Sequence, residues 1–210
     1  MPTSNVHTQE RAASNESWHA VILGVLAAWA AAVALGSAAG VFSAIPLPMI
    51  AGLVAIAIAA PVIAYASIDG LRRFLRTRDI NYLTTFHLWR IPAALTFFYF
   101  GAQEALPDAF VRHAAWGDLA AGLLVLPVIL TARRGLAKYW GFHIFGFADF
   151  VLAVGTGLYF SLISHPDMAT IAAFPLALIP LFGVGVSGAS HLIAFDVLRH
   201  NRRASNPGDA

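Results

Sequence analysis

Three ionisable residues, Arg90, Asp118 and Asp149, lie near the middle of long apolar stretches of the sequence. On insertion scales, an Arg or Asp at the centre of a membrane helix costs about 2.5–3.5 kcal/mol. We therefore expect these side chains to face the interior of a helix bundle and one another. One positive and two negative charges sum to −1, so we expect one aspartate to pair with Arg90 and the other to hold a proton or meet a cation. This pattern favours proton coupling or the binding of a small polar or ionic solute.

Small and polar residues on the same helical faces extend this set. Gly122 lies one turn from Asp118, and Gly183, Ser187 and His191 follow one another at spacings of four. Small residues let helix backbones approach closely, and polar side chains among them bond across the interface. The sequence therefore predicts one buried binding or proton-coupling site, formed by Arg90, Asp118, Asp149, Ser187 and His191.

Three histidines, His87, His143 and His191, fall in the same half of the predicted membrane region. Two imidazoles that face each other across a bundle can ligate a haem iron, and His87 and His191 are the better pair by depth and face. His143 lies about 120° around its helix from Asp149 and is set apart from the site. Haem b on His87 and His191 is thus an alternative, and otherwise we expect no cofactor and no metal.

A polar rim is predicted near the opposite surface. Glu104, Asp108, Arg112 and His113 surround the third connection and the start of the next apolar stretch. The rim is interpreted as an outer entrance vestibule or as an ordinary solvated loop.

Several enzyme classes lack their motifs here. The chain has no cysteine, which excludes disulfides, thiolate metal sites and cysteine nucleophiles. It has no glycine-rich phosphate loop and no His-Glu-x-x-His motif. Ser187 and His191 share one helix without a nucleophile elbow around the serine. No enzymatic activity is predicted, although these patterns neither support nor exclude an intramembrane enzyme.

The composition indicates the elements that must position these residues. Of the 210 residues, 59% are hydrophobic and 11% are charged, whereas a soluble domain has about a quarter charged residues. This excludes a soluble globule, a disordered chain and a nucleic-acid-binding module. A bilayer core about 30 Å thick needs roughly 20 apolar residues per helix, and six stretches qualify: 18–41, 47–68, 82–103, 109–131, 139–161 and 173–197. The sequence therefore predicts an all-α, six-helix transmembrane bundle.

Basic residues indicate how the bundle is oriented. Every Lys and Arg except Arg90 and Arg112 falls in the N-terminal tail, the second and fourth connections or the C-terminal tail. Short cytoplasmic loops are enriched in these residues, so both termini are expected in the cytoplasm. The predicted organisation is a single membrane domain over 18–198 between disordered tails at 1–17 and 199–210.

Five short segments follow one another in a characteristic order, and a histidine at 191 comes after them. They are Arg-Ile-Pro at 90–92, Leu-Pro-Asp-Ala-Phe at 106–110, Trp-Gly-Asp-Leu-Ala-Ala-Gly at 116–122, Ala-Asp-Phe-Val-Leu-Ala-Val at 148–154 and Pro-Leu-Ala-Leu-Ile-Pro at 175–180. Over 80–198 the chain resembles a group of small bacterial inner-membrane proteins without a characterised function. The resemblance implies that location and a shared Arg/Asp/Asp/His set, but no substrate. His87 departs from the group, many of whose members are apolar there.

Three functions are consistent with these observations. The first is a small permease or carrier, in which Arg90 binds an anion or holds an aspartate, one aspartate carries a proton and His191 relays it. The second is a haem b electron-transfer or sensing protein, and the third is an accessory subunit whose buried charges fix helix packing. A chain of 210 residues is small for a carrier, so we expect a homodimer in the lipid bilayer. No nucleic acid partner is expected, and the sequence does not identify the solute.

Overall fold

A computed structural model describes residues 3–131 and 135–205, with side chains described over 17–131 and 135–203. All regular structure in these residues is helical, which confirms the predicted all-α class. The helices are α1 (Thr3–Ala38), α2 (Leu47–Ser67), α3 (Asp69–Thr77), α4 (Asn81–Thr85), α5 (Arg90–Gly101), α6 (Asp108–Leu130), α7 (Ala137–Leu162) and α8 (Val184–Ser205).

Five helical segments are long and apolar enough to cross a bilayer. They are Ser17–Ala38, Leu47–Ser67, Asp108–Leu130, Ala137–Leu162 and Ile179–Arg203. Each corresponds to a predicted stretch, with ends that differ by a few residues. These five helices indicate a membrane protein.

The third predicted span is not the continuous helix expected over 82–103. The chain instead forms α4, a 3₁₀ turn at Phe86–Trp89 and then α5. Pro92 has no N–H group and its ring crowds the carbonyl four residues earlier, so a regular α-helix is disfavoured just before it. A 3₁₀ turn has three residues per turn, and it therefore places His87 and Arg90 on the same face.

The last predicted span also begins later than expected. Residues 173–177 form a bend and turns rather than the start of a helix at 173. A π-helical turn at Ile179–Gly183, which contains Pro180, then leads into α8. Pro175 and Pro180 lack the N–H groups that a regular helix needs here.

The terminal segments are helical where disordered tails are predicted. α1 begins at Thr3 and α8 extends to Ser205. Residues 3–17 and 199–205 contain neither glycine nor proline, so the adjoining apolar helices can continue through them. The predicted cytoplasmic residues Arg133 and Arg134, and the side chain of Arg11, lie outside the described part of the chain.

Contacts gather the basic connections at one end of the bundle. Arg76 of α3 binds Asp196 of α8 through two hydrogen bonds of 2.9 and 3.0 Å. Tyr139, at the start of α7, donates a hydrogen bond of 2.9 Å to Asn81 at the start of α4. The opposite end is closed by an apolar core that includes Phe97, Leu106, Phe110, Met168 and Ile171. The predicted site lies between these two ends.

Candidate functional site

The structure brings Arg90, Asp118 and Asp149 into direct contact. Arg90 is the first residue of α5 and is 2% exposed. Its Nε donates to Asp118 Oδ1 on α6 at 2.6 Å, and its Nη2 donates to Asp149 Oδ2 on α7. Its Nη1 lies 3.4 Å from the carbonyl oxygen of Gly146. Arg90 is therefore bound by both aspartates at once, which differs from the expected single pair with a separate second carboxyl.

The close approach of α6 and α7 depends on glycine. A Cβ atom added at Gly117 would overlap the carboxyl group of Asp149. The side chain of Asp149 is 9% exposed and that of Asp118 is 11% exposed. The pair of carboxylates and the guanidinium thus form a buried group whose formal charge is −1 when both aspartates are ionised.

A cavity of about 360 Å³ reaches this group. Arg90, Asp118, Trp89 and Ser187 contribute to its wall, together with apolar residues such as Phe110. The indole Nε1 of Trp89 donates to Ser187 Oγ at 2.8 Å. A cavity of this size can hold a small molecule, since ligand pockets of proteins occupy about 300–1,000 Å³. Asp149 is not part of the cavity wall.

A second polar group is formed by His87, His143 and His191. All three are fully buried, and each offers a ring nitrogen within 4.8 Å of the others. The rings of His87 and His191 are stacked with centroids 4.0 Å apart. Nδ1 of His143 lies 2.9 Å from Nδ1 of His191. His143, which the sequence reasoning set apart, is therefore central to this group.

The neighbouring hydroxyl groups indicate which nitrogen of His143 carries a proton. Thr84 Oγ1 donates its single proton to the carbonyl of Ile80 at 3.0 Å. It can therefore only accept from His143 Nε2, 3.2 Å away. A neutral His143 then has its lone pair on Nδ1. His191 must in turn donate from its own Nδ1, which leaves a lone pair on His191 Nε2.

The same reasoning applies to His87. Ser190 Oγ donates to the carbonyl of Ser187 at 2.9 Å. It therefore accepts from His87 Nε2, also at 2.9 Å, and the lone pair of His87 is on Nδ1. Among the described residues, His87 Nδ1 and His191 Nε2 have no hydrogen-bond partner. Two buried nitrogen lone pairs are thus unpaired, which is unusual in a protein interior.

Gly146 lies where the two polar groups meet. A Cβ atom at this position would lie 3.0 Å from His191 Nε2 and 3.6 Å from Arg90 Nη1. The absence of a side chain therefore lets the imidazole and the guanidinium occupy adjacent space. The arginine group and the histidine group form one continuous polar region inside the bundle.

The histidine geometry does not fit the haem alternative. A haem iron bound by His87 and His191 requires the porphyrin to lie between the two imidazoles. The two rings instead stack directly at 4.0 Å with an interplanar angle of 28°. No space for a porphyrin separates them.

The predicted outer rim does not join the cavity. Glu104, Asp108, Arg112 and His113 are all exposed, and none contributes to the wall that contains Arg90. His113 Nδ1 lies 3.0 Å from Thr156 Oγ1 on α7. The structure thus places these residues at the surface and does not form them into a vestibule of this cavity.

Sequence reasoning missed Thr84, Ser190 and Asp196. Thr84, His87 and Arg90 are spaced by three, and this spacing before Pro92 was a signal for a 3₁₀ segment with one polar face. Asp196 gave no such signal, because its partners come from distant helices. Tyr65 donates a hydrogen bond to Asp196 beside Arg76, and the hydrogen bond with Asp196 raises the pKa of Arg76.

Comparison with known proteins gives one match. Residues 44–199 match a family model described as a domain of unknown function, DUF8737. Neither a curated protein nor a solved structure matches the chain. The matched range contains all residues of the arginine and histidine groups.

Proposed function

The chain belongs to the DUF8737 family, whose description assigns no activity, and we propose from its site that it is a small proton-coupled carrier for an anionic solute. One observation carries this proposal. Arg90 is held by Asp118 at the wall of a cavity large enough for a small solute. The cation that would bind the solute and the carboxyl that would take the proton are therefore in contact.

The proposed cycle exchanges one partner of Arg90 for another. When Asp118 is ionised, it occupies the Nε edge of the guanidinium at 2.6 Å. A proton that binds Asp118 removes its charge and weakens this charge-assisted hydrogen bond. Arg90 can then bind an anion from the cavity, while Asp149 keeps the guanidinium in place. Loss of the proton restores the Arg90–Asp118 pair and displaces the anion.

The buried charge supports coupling between the binding of a proton and the binding of an anion. With both aspartates ionised, the group has an uncompensated charge of −1 in a medium where such a charge is costly. A proton on Asp118 neutralises the group, and an anion bound to Arg90 returns it to −1. Binding of an anion without the proton would make the net charge of the group −2. The proton and the anion are therefore expected to bind together.

The proposed membrane arrangement has six crossings with both termini in the cytoplasm of a bacterial inner membrane. The five long helices supply five crossings, and the interrupted segment from α4 to α5 supplies the third in order. The contacts Arg76–Asp196 and Tyr139–Asn81 support it, because they hold basic connections at one end of the bundle. Lys and Arg are enriched in cytoplasmic loops.

Proton flux into liposomes tests the carrier. The full chain is reconstituted with an internal pH-sensitive dye, and a panel of small organic anions and inorganic phosphate is added outside. We expect an anion-dependent acidification in wild-type vesicles and at least a tenfold lower rate in Asp118→Asn. Asp108→Asn, which changes an exposed carboxyl at the start of the same helix, is the matched control and should resemble wild type.

Two results would contradict the proposal. The first is no anion-dependent acidification in wild-type vesicles with any member of the panel. The second is an equal rate in Asp118→Asn accompanied by a lower unfolding temperature, which would favour an accessory protein whose buried charges only fix helix packing.

A further inference from the structure

We propose that His87, His143 and His191 bind a divalent transition-metal ion of the Zn²⁺ type. The site lies beside the arginine group but uses none of its charged side chains. This inference goes beyond the proposed carrier, and it does not require that the protein transport anything.

The three residues converge from different parts of the fold. His87 is in the 3₁₀ turn before α5, His143 is in α7 and His191 is in α8. One ring nitrogen from each lies within 4.8 Å of the others. Ligands of a tetrahedral zinc ion at 2.0–2.1 Å are about 3.3 Å apart. The Nδ1 atoms of His143 and His191 are 2.9 Å apart, so this pair would need to separate by about 0.4 Å for both atoms to bind one ion.

The surroundings leave lone pairs available for a metal. Ser190 and Thr84 accept hydrogen bonds from the Nε2 atoms of His87 and His143, which places the lone pairs on Nδ1. Each hydroxyl is itself fixed by donation to a helix carbonyl. Metal-binding histidines commonly donate their other N–H to such an outer partner, which fixes the tautomer and the ring orientation. His87 and His143 therefore have the hydrogen bonding of metal ligands.

A metal would supply a partner for one of the two unpaired buried nitrogens. His87 Nδ1 and His191 Nε2 are buried without a partner among the described residues, although unpaired buried polar atoms are costly. A metal that binds His87 Nδ1 satisfies the first. If His191 binds the metal through Nδ1, its proton moves to Nε2, which lies beside Gly146 and keeps no hydrogen-bond partner among the described residues. This assigns His191 to metal binding rather than to the proton relay expected from the sequence.

The neighbouring charges are mixed, so the nitrogen ligands rather than the local charge carry the case for a metal. Three neutral imidazoles supply no negative charge, but the Arg90, Asp118 and Asp149 group next to them carries −1 when both aspartates are ionised. The member of this group that lies beside His191 at Gly146 is the Arg90 guanidinium, whose positive charge offsets the attraction of the two carboxylates. Nitrogen ligands select zinc, copper, nickel or iron over magnesium and calcium, which prefer oxygen. Three protein ligands leave the fourth tetrahedral position for a water or another small ligand.

Binding of Co²⁺ to the full-length protein tests this site directly. The protein is purified in detergent, treated with a chelator and titrated with Co²⁺, whose visible absorption reports tetrahedral nitrogen coordination. We expect a band that saturates at one equivalent and disappears when Zn²⁺ is added. The band should be lost in His143→Ala and His191→Ala and retained in His113→Ala, which removes an exposed histidine.

A second pair of variants keeps all three histidines. These variants still test the site if the histidine variants fail to fold. Thr84→Val and Ser190→Ala remove the outer hydrogen-bond partners, and we expect each to weaken Zn²⁺ binding about 10- to 100-fold. The proposal is overturned if the wild-type protein shows no band with excess Co²⁺. It is equally overturned if folded His143→Ala and His191→Ala proteins bind as wild type does, or if Thr84→Val and Ser190→Ala both leave the affinity unchanged. Because binding is measured without transport, failure here leaves the carrier proposal standing, and the reverse also holds.

Discussion

Nε of Arg90 lies 2.6 Å from Oδ1 of Asp118, so the first residue of α5 is joined to the middle of α6 inside the bundle. The same guanidinium also binds Asp149 on α7. One side chain thus joins three helices through buried charged contacts. This dependence makes the position of Arg90 sensitive both to loss of its charge and to any displacement of its neighbours.

Arg90→Met should destabilise the folded protein strongly. The variant leaves two buried carboxyl groups without a cationic partner, and removal of one member of a buried ion pair costs about 3–5 kcal/mol. Arg112→Met, which removes an exposed arginine, should change the free energy of unfolding by less than about 0.5 kcal/mol. Chemical unfolding in detergent measures both. Similar stability of the two variants would show that the buried group contributes little to the fold.

Gly146→Ala should displace the polar region and destabilise the protein. The added Cβ would lie 2.6 Å from Cε1 of His191, and overpacking of this kind costs about 1–3 kcal/mol. Gly155→Ala is the matched control on the same helix, because nothing lies within 4 Å of its Cβ position. That control should be neutral or stabilising by up to about 1 kcal/mol. An unfolding temperature for Gly146→Ala equal to that of Gly155→Ala would contradict the close approach of His191.

The Trp89–Ser187 hydrogen bond should be visible in a double-mutant cycle. Ser187→Ala leaves the indole N–H of the half-buried Trp89 without its partner at 2.8 Å, which costs about 1 kcal/mol. In Trp89→Phe the donor is absent, so the added effect of Ser187→Ala should be smaller. Unfolding free energies of the two single variants and the double variant give the coupling. Additive effects would indicate that the two residues do not interact.

Cysteine labelling should reveal the orientation in the membrane. The chain has no cysteine, so Thr77→Cys and Gln103→Cys each introduce one exposed thiol, near opposite ends of the bundle. A membrane-impermeant maleimide added outside intact cells should label Gln103→Cys and leave Thr77→Cys unlabelled until the cells are opened. The opposite pattern would reverse the proposed topology, and equal labelling would contradict the crossing between these positions.

The sequence by itself determined the helical class, five of the six predicted apolar helices and the presence of costly charges at Arg90, Asp118 and Asp149. These properties depend on transfer free energies that add along the chain, so short segments are sufficient to recognise them. The interruption of the third stretch was not recognised, although Pro92 was visible. A proline indicates where a regular α-helix is disfavoured. The geometry that replaces the α-helix there depends on how the neighbouring helices pack.

Only the tertiary structure decided which polar side chains outside the Arg90, Asp118 and Asp149 set meet. His143 lies on a different face of its helix from Asp149, yet α8 covers that face and brings His191 to within 2.9 Å. The outer rim at Glu104, Asp108, Arg112 and His113 has suitable residue types but does not reach the cavity. Contacts of this kind depend on the rotation and close approach of whole helices, which glycines such as Gly146 permit but do not specify. The physical reason is that the free-energy cost of burying a side chain depends on its own segment of sequence. The residue that it contacts depends on packing between segments that are far apart in the chain.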